Sequence, residues 1–214
     1  MRPSMYLPKH FSVTDSDRGY DLIEDNPFGL LVCSTAEAVP EIAHIPFVLD
    51  RAAKVLRAHV ALANPIGRLL ENQASVVAVF TGPHAYVSPS WYENPAMNVP
   101  TWNYAAVHVH GMARRLTERA DILRDLAAMT ARYEAGSEAP WSLASVEPGY
   151  IDMLAGAVAA FEIAIDRLDV KFKMSQNRPV PDRARVVMHL RARNAPGDEA
   201  VAKLVEELNG LVGS

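Results

Sequence analysis

This 214-residue sequence is poor in several things, and each shortage excludes something. It has one cysteine, Cys33, so no disulfide can close within the chain, which fits a reducing compartment. Cys33 lies inside an apolar run and reads as a small buried apolar residue rather than a nucleophile. No apolar run approaches the ~18 residues of a membrane span, and the polar N-terminus does not read as a signal peptide. A cytoplasmic protein with no membrane partner is therefore expected. The net charge of −4 lacks the overall basic footprint of a nucleic-acid binder. No G-x-G-x-x-G, phosphate-loop or G-x-S-x-G motif occurs, so neither a dinucleotide fold nor a serine hydrolase is supported.

What is present is an ordinary globular balance, 50% hydrophobic and 21% charged, long enough for a sizeable core. Residues 1–13 read as an extended arm. Thr14, Asp15 or Ser16 is placed to cap a helix over 16–25, which Asn26-Pro27 stops. Phe28 to Cys33 is an unbroken apolar run of strand length, expected to be buried on both sides. Residues 34–40 turn the chain, and Glu41 to Leu49 pairs back as a strand with an edge or bulge at Pro46. Val55 to Ala61 and Ser75 to Thr81 are further strands. Between them Asn64-Pro65 is a good N-cap followed by a good first helical residue.

Gly82 to Gly111 holds two of the three tryptophans and Pro83, Pro89, Pro95 and Pro100. Proline fixes φ and removes a donor, so its first part reads as an ordered, irregular loop between strands, a common place for a binding site. Tyr104 to Leu116 follows as a long strand with His108 and His110 on one face. Glu118 to Tyr133 is an amphipathic helix, with Ile122, Leu126, Met129 and Tyr133 at 4, 3, 4 spacing. A short helix falls near 149–155. Phe161 to Phe172 is a strand whose apolar phase changes, which predicts a bulge near Asp166–Arg167. Residues 182–193 form a basic helix and 198–211 a last amphipathic one. Strands in meanders with helices set aside predict a mainly β, antiparallel barrel with peripheral helices.

Three constellations could carry chemistry. In 57–68, RAHVALANPIGR, a helix start offers N–H groups to an anion, with Arg68 in its first turn and His59 on the strand leading in. The alternative is a capped surface helix with a solvated arginine. Trp102-Asn103 with Tyr104 sets an aromatic face beside an amide, as a planar heterocycle requires, or makes a packed aromatic corner. Lys171 and Lys173 share a strand face, with Gln176 and Asn177 beyond, either as a cationic ligand edge or as a solvated pair. His108-x-His110 could chelate, but no acidic partner set accompanies it, so no metal site is assigned. From Lys171 to Arg193 seven residues are basic and one acidic, whereas 194–214 carries one lysine and four acids. The basic segment could meet phosphates, hold the acidic tail or meet a partner subunit.

In order, the chain contains His44-Ile45-Pro46-Phe47, His59-Val60-Ala61 with Ala63-Asn64-Pro65, Gly82-Pro83-His84-Ala85-Tyr86, Ser88-Pro89-Ser90-Trp91-Tyr92 and Val99-Pro100-Thr101-Trp102-Asn103-Tyr104. Val107-His108 and Lys173 with Ser175-Gln176-Asn177-Arg178 follow. On this set, spread nearly end to end, the chain resembles the PaiB family of FMN-binding negative transcriptional regulators. The resemblance implies an antiparallel split β-barrel of the flavin-reductase type over residues 1–175, with a C-terminal helical extension, 176–214, packed on it. It implies a homodimer with FMN, or another planar ligand, at the subunit interface. It carries cofactor binding to His44, His59, Asn64, Arg68, Trp102, Asn103, Lys173 and Gln176, with Arg68 holding the phosphate where the family usually has lysine. The family often reads G-H-V-A-R-A-N-P-Q-W, whereas Ala58, Leu62, Ile66 and Gly67 stand at the variable points here. Leu62 in place of arginine removes an anion contact worth about 1.5–3 kcal/mol. A flavin-dependent reductase or oxidase is the alternative activity. No catalytic residue is assigned, although His84, His108 and His110 titrate near neutral pH.

Overall fold

The computed structural model describes residues 5–34 and 39–211. The first four residues of the expected arm and the middle of the 34–40 turn lie outside the described residues. Seven strands form one sheet: β1 (Phe28–Cys33), β2 (Glu41–Pro46), β3 (Val48–Asp50), β4 (Val55–Ala61), β5 (Ala74–Val87), β6 (Thr101–Arg115) and β7 (Val158–Lys173). Their order is β2-β1-β5-β6-β7-β4-β3. The registered pairs β1/β2, β1/β5, β3/β4 and β4/β7 are antiparallel. Six helices accompany them: α1 (Ser16–Asp25), α2 (Pro65–Leu69), α3 (Arg119–Glu134), α4 (Pro148–Gly156), α5 (Val180–Arg193) and α6 (Asp198–Asn209). This is the antiparallel split-barrel class with peripheral and C-terminal helices that the sequence implied.

The chain divides into two compact units. One contains Pro27–Phe80 and Val109–Leu168; the other contains the N-terminal segment to Asn26, Thr81–His108 and the C-terminal segment from Asp169. In the first, Leu31, Phe47, Leu56, Phe80, Phe161 and Ile163 are fully buried. Gly111 is required there, because a Cβ would lie 2.0 Å from the Ala164 carbonyl oxygen. In the second, Ile23, Val107, Val170, Met174, Leu190 and Val205 form the core. Asp15 caps α1 by accepting from the Asp17 N–H at 2.9 Å. Tyr20 and Ile23 of this helix are buried.

Three expectations need correction. β1 is not buried on both faces: Phe28 is 66% exposed, and Leu30 and Val32 are half-buried, because within this chain only the Leu31–Cys33 side is covered. The expected single strand 41–49 is two. It breaks at Phe47, whose N–H donates to the Pro27 carbonyl (2.9 Å), and β3 then pairs with β4 rather than β1. Pro46, which has no N–H to give, ends β2 at that crossing. Finally, β5 runs through Pro83 to Val87, six residues beyond the expected end. β1 pairs with β5 only from Leu30↔Val79 to Cys33↔Val76, so Pro83 lies past the β1 ladder, where a missing donor is tolerated. The phase change in β7 is present, with Phe161 and Ile163 buried before it and Val170 and Phe172 after it.

Candidate cofactor site

Four of the expected cofactor residues lie in the first unit. His44 is exposed on β2, opposite Leu30, with its ring stacked 6.3 Å from that of Phe28. His59 lies on β4 and faces Leu126 and Met129 of α3. Burial lowers its pKa, so the neutral imidazole is favoured. Asn64 caps α2: its side-chain oxygen accepts from the Ile66 N–H at 3.0 Å and its carbonyl from the Gly67 N–H at 2.9 Å. Pro65 has no N–H. The amides that open α2 are therefore largely consumed by the cap, and a five-residue helix has little dipole to offer. Anion attraction at this end falls to the Arg68 guanidinium, which is exposed and forms no ion pair among the described residues.

The other four lie in the second unit, and they differ sharply in availability. Trp102 is 52% exposed on β6, in a ring cluster with His84 (6.2 Å) and Tyr86 (6.0 Å) on β5. Asn103, one residue on, is 1% exposed, and its amide donates to the Ser175 hydroxyl oxygen at 3.0 Å. Ser175 has a positive φ of 63°, a conformation a non-glycine residue holds only where its surroundings fix it. Gln176 accepts from the Met174 N–H (2.7 Å) and donates to the Phe172 carbonyl (2.5 Å). Asn103 and Gln176 thus build the turn that ends β7, and their amides are occupied.

Lys173 is different. Its ammonium donates to the Thr101 hydroxyl, is half-buried and has no carboxylate partner among the described residues. Burial lowers its pKa, and the neighbouring charges of Lys171 and Arg178 lower it further. Lys171 is buried, donates to the Tyr6 carbonyl at 2.8 Å and lies over the rings of Tyr6 and Tyr104. Arg178 donates to the Asn98 side-chain oxygen and lies over the Tyr92 ring. Lys171 and Arg178 are thus spent on rings and carbonyl oxygens inside the chain, and the half-buried Lys173 is the cation of this cluster best placed to meet an electron-rich ligand edge. Sequence reading singled out Lys173 but not Arg178, which reaches the cluster only because the Ser175 turn folds the chain back.

The residues fit FMN in part. Arg68 suits a phosphate and Trp102 with Lys173 suits a flavin ring, whereas Asn103 and Gln176 already hydrogen-bond within the turn that ends β7. His84 bonds its own strand at Gly82 O, 3.2 Å away. No group of three metal-ligating side chains occurs among the described residues.

Residues 5–167 match the family described as "Putative FMN-binding domain". The chain is 32% identical to "Protease synthase and sporulation protein PAI 2" of Bacillus subtilis over 205 residues, 95% of this chain and 97% of that protein. It is 30% identical to "Uncharacterized protein AN0679" of Emericella nidulans, covering 87% and 90% of the two chains. Among solved structures, the FAD and heme binding protein from Mycobacterium smegmatis superposes with a TM-score of 0.58 at 20% identity, covering 76% of this chain and 73% of that one. The flavocytochrome Anf3 from Azotobacter vinelandii gives 0.58 at 15% identity, covering 78% and 72%. These two likenesses speak for the fold. The family match and the curated relatives go further: this chain belongs to the PaiB-type family of FMN-binding split-barrel proteins, and FMN is the cofactor that membership assigns to it.

Proposed function

We propose that this protein is a cytoplasmic FMN-binding homodimer of the PaiB type that acts in regulation. The observation that carries the reading is Lys173, a half-buried ammonium with two cationic neighbours, no carboxylate partner among the described residues and an exposed tryptophan nearby on β6. Arg68 holds the phosphate end, and Trp102 and Lys173 serve the ring, the two sets contributed by different subunits. FMN supplies redox and light-absorbing chemistry when bound. The protein's own groups orient it and neutralise its charge.

Dimerisation is supported by the uncovered face of β1, β2 and β5. Phe28 and Ile42 are exposed there, beside half-buried Leu30, Val32, Val77 and Val79. A contiguous apolar sheet face of this kind marks an interaction surface. Phe28→Asp should convert the dimer to a monomer on size exclusion.

Regulation through direct DNA contact by α5 has little support, because three of its four arginines are engaged within the chain, Arg185 being the exposed exception. Arg191 pairs with Glu206 (2.8 Å) and Glu199 (3.1 Å) of α6, and Arg193 with Asp198 (2.5 Å). Arg183 donates to the carbonyls of Arg178 and Gln176. Within the chain, the acidic residues of α6 pair with Arg191 and Arg193 of this helix.

The test is the visible absorption spectrum before and after FMN addition and desalting. Retained flavin bands are expected, and Arg68→Ala should weaken FMN binding roughly tenfold or more, the loss of one charge-assisted contact. A colourless protein that leaves added FMN unperturbed would overturn the cofactor reading. Unchanged affinity in Arg68→Ala would overturn the role of that residue. Steady FMN-dependent NAD(P)H consumption would point to a reductase instead.

A further inference from the structure

We propose that the cleft between α3 and the loop that follows it binds a small organic cation, an alkyl- or quaternary ammonium. The cleft has a volume of about 290 Å³ and is lined by His59, Leu126, Met129, Tyr133, Glu134 and Trp141. It lies wholly within the first unit, and of the residues carried to FMN only His59 lines it.

Three features set its chemistry. The walls are aromatic and half open: Tyr133 is 48% exposed and Trp141 46%, so α3 and the 136–147 loop leave two large rings uncovered. At their junction sits a carboxylate. Glu134 accepts from the Trp141 backbone N–H through one oxygen at 3.0 Å, which fixes it in place. Its other oxygen is uncommitted, and Glu134 forms no ion pair among the described residues. The remaining lining brings no positive charge. Burial lowers the His59 pKa and so disfavours its cation, and Leu126 and Met129 are apolar. Arg132, whose charge acts on the Tyr133 hydroxyl, does not line the cleft. Arg57, in the adjoining cavity, is engaged by Asp50 (3.1 Å) and approached by Asp125 (3.6 Å).

A fixed, uncompensated carboxylate between aromatic rings attracts a cation. A cation on a ring face gains from the ring quadrupole, and the gain is larger when the cation is an alkylated ammonium that sheds water readily. Inorganic cations keep their hydration and demand several oxygen ligands, which the cleft does not supply. Met129 and Leu126 supply the apolar floor that alkyl groups require, and the neutral His59 ring offers an acceptor for an ammonium N–H.

The experiment follows the three indole N–H signals of the full-length protein by NMR, with Trp141 assigned through Trp141→Phe. Choline is titrated against 3,3-dimethylbutan-1-ol, which has the same shape without the charge. Choline should move the Trp141 signal saturably and leave Trp91 and Trp102 in place, whereas the alcohol should not. Glu134→Gln should weaken choline binding roughly tenfold, the loss of one charge contact, while its indole spectrum without ligand stays that of the folded protein. Equal binding of the alcohol, unchanged affinity in Glu134→Gln, or a Trp141 shift produced by FMN and not by choline would each overturn the proposal.

Discussion

Replacing Arg193 with alanine should destabilise the protein by about 2–3 kcal/mol. Asp198 is 1% exposed, and Arg193 meets it in a fork, Nε to Oδ2 at 2.8 Å and Nη2 to Oδ1 at 2.5 Å. Among the described residues the one other donor to this carboxylate is the Ala195 N–H, at 2.8 Å. Arg193 also donates to the Tyr86 carbonyl at 3.1 Å and lies over the Trp91 ring at 5.0 Å, so one side chain ties α5 to the start of α6, to β5 and to the proline-rich loop. Removing one member of a fully buried ion pair costs about 3–5 kcal/mol, because a desolvated charge is left behind. Arg193 is a third exposed, so water reaches its side of the pair and the lower figure applies. Urea unfolding followed by circular dichroism measures the loss, and Arg193→Lys should recover part of it.

The pH dependence gives a second signature. Hydrogen bonds from Arg193 hold the Asp198 carboxyl below the usual range, opposing the effect of burial and helped by Ala195. A carboxylate with a depressed folded-state pKa contributes stability that is present above its unfolded value, about 3.9, and is lost as pH falls through the folded one. The gap between wild type and Arg193→Ala should therefore be full near neutral pH and close below about pH 4. A loss smaller than about 0.5 kcal/mol, or a gap that persists in acid, would refute the reasoning.

Three further outcomes are expected. Lys173→Met should raise the Tm of the ligand-free protein by about 2–4 °C while weakening FMN binding. Burial and two cationic neighbours depress the Lys173 pKa, so charging it opposes folding below the unfolded value, and the gain should fade as pH rises from the lowered folded pKa towards that value, as thermal melts across alkaline pH would show. Gly111→Ala should fail to fold or lose more than about 3 kcal/mol in denaturant, because its methyl would meet the Ala164 carbonyl and Ile163. Double-stranded DNA at low salt should show no steep salt-dependent binding. A log–log slope of several units would place free cations where α5 is ion-paired.

Much of the fold was legible because its signals are local. The apolar run of β1, the Asp15 cap of α1, the Asn64-Pro65 start of α2 and the 4, 3, 4 spacing of α3 each depend on a few adjacent residues. The break at Phe47 was not legible. It depends on the Pro27 carbonyl, twenty positions away, and on β3 choosing β4 as its partner. The extension of β5 through Pro83 was hidden for a similar reason, since a proline's effect depends on which ladder has ended beside it.

The site divides along the same line. Sequence alone determined which residue types could serve FMN: a cation after a helix start, an indole with an amide, and a lysine strand end. It also determined the family, through an ordered set of short motifs. Only the tertiary structure decided which of them are free. Asn103 and Gln176 are polar and suitably placed in the sequence, yet the buried Asn103 amide must be hydrogen-bonded and meets Ser175, while the half-buried Gln176 amide bonds the backbone at the end of β7. The basic run of α5 met its counter-charges in α6 rather than in solvent. Lys173 has no acid beside it among the described residues, and burial with two cationic neighbours lowers its pKa. Availability is a property of neighbours in space, and those neighbours are assembled from distant parts of the chain.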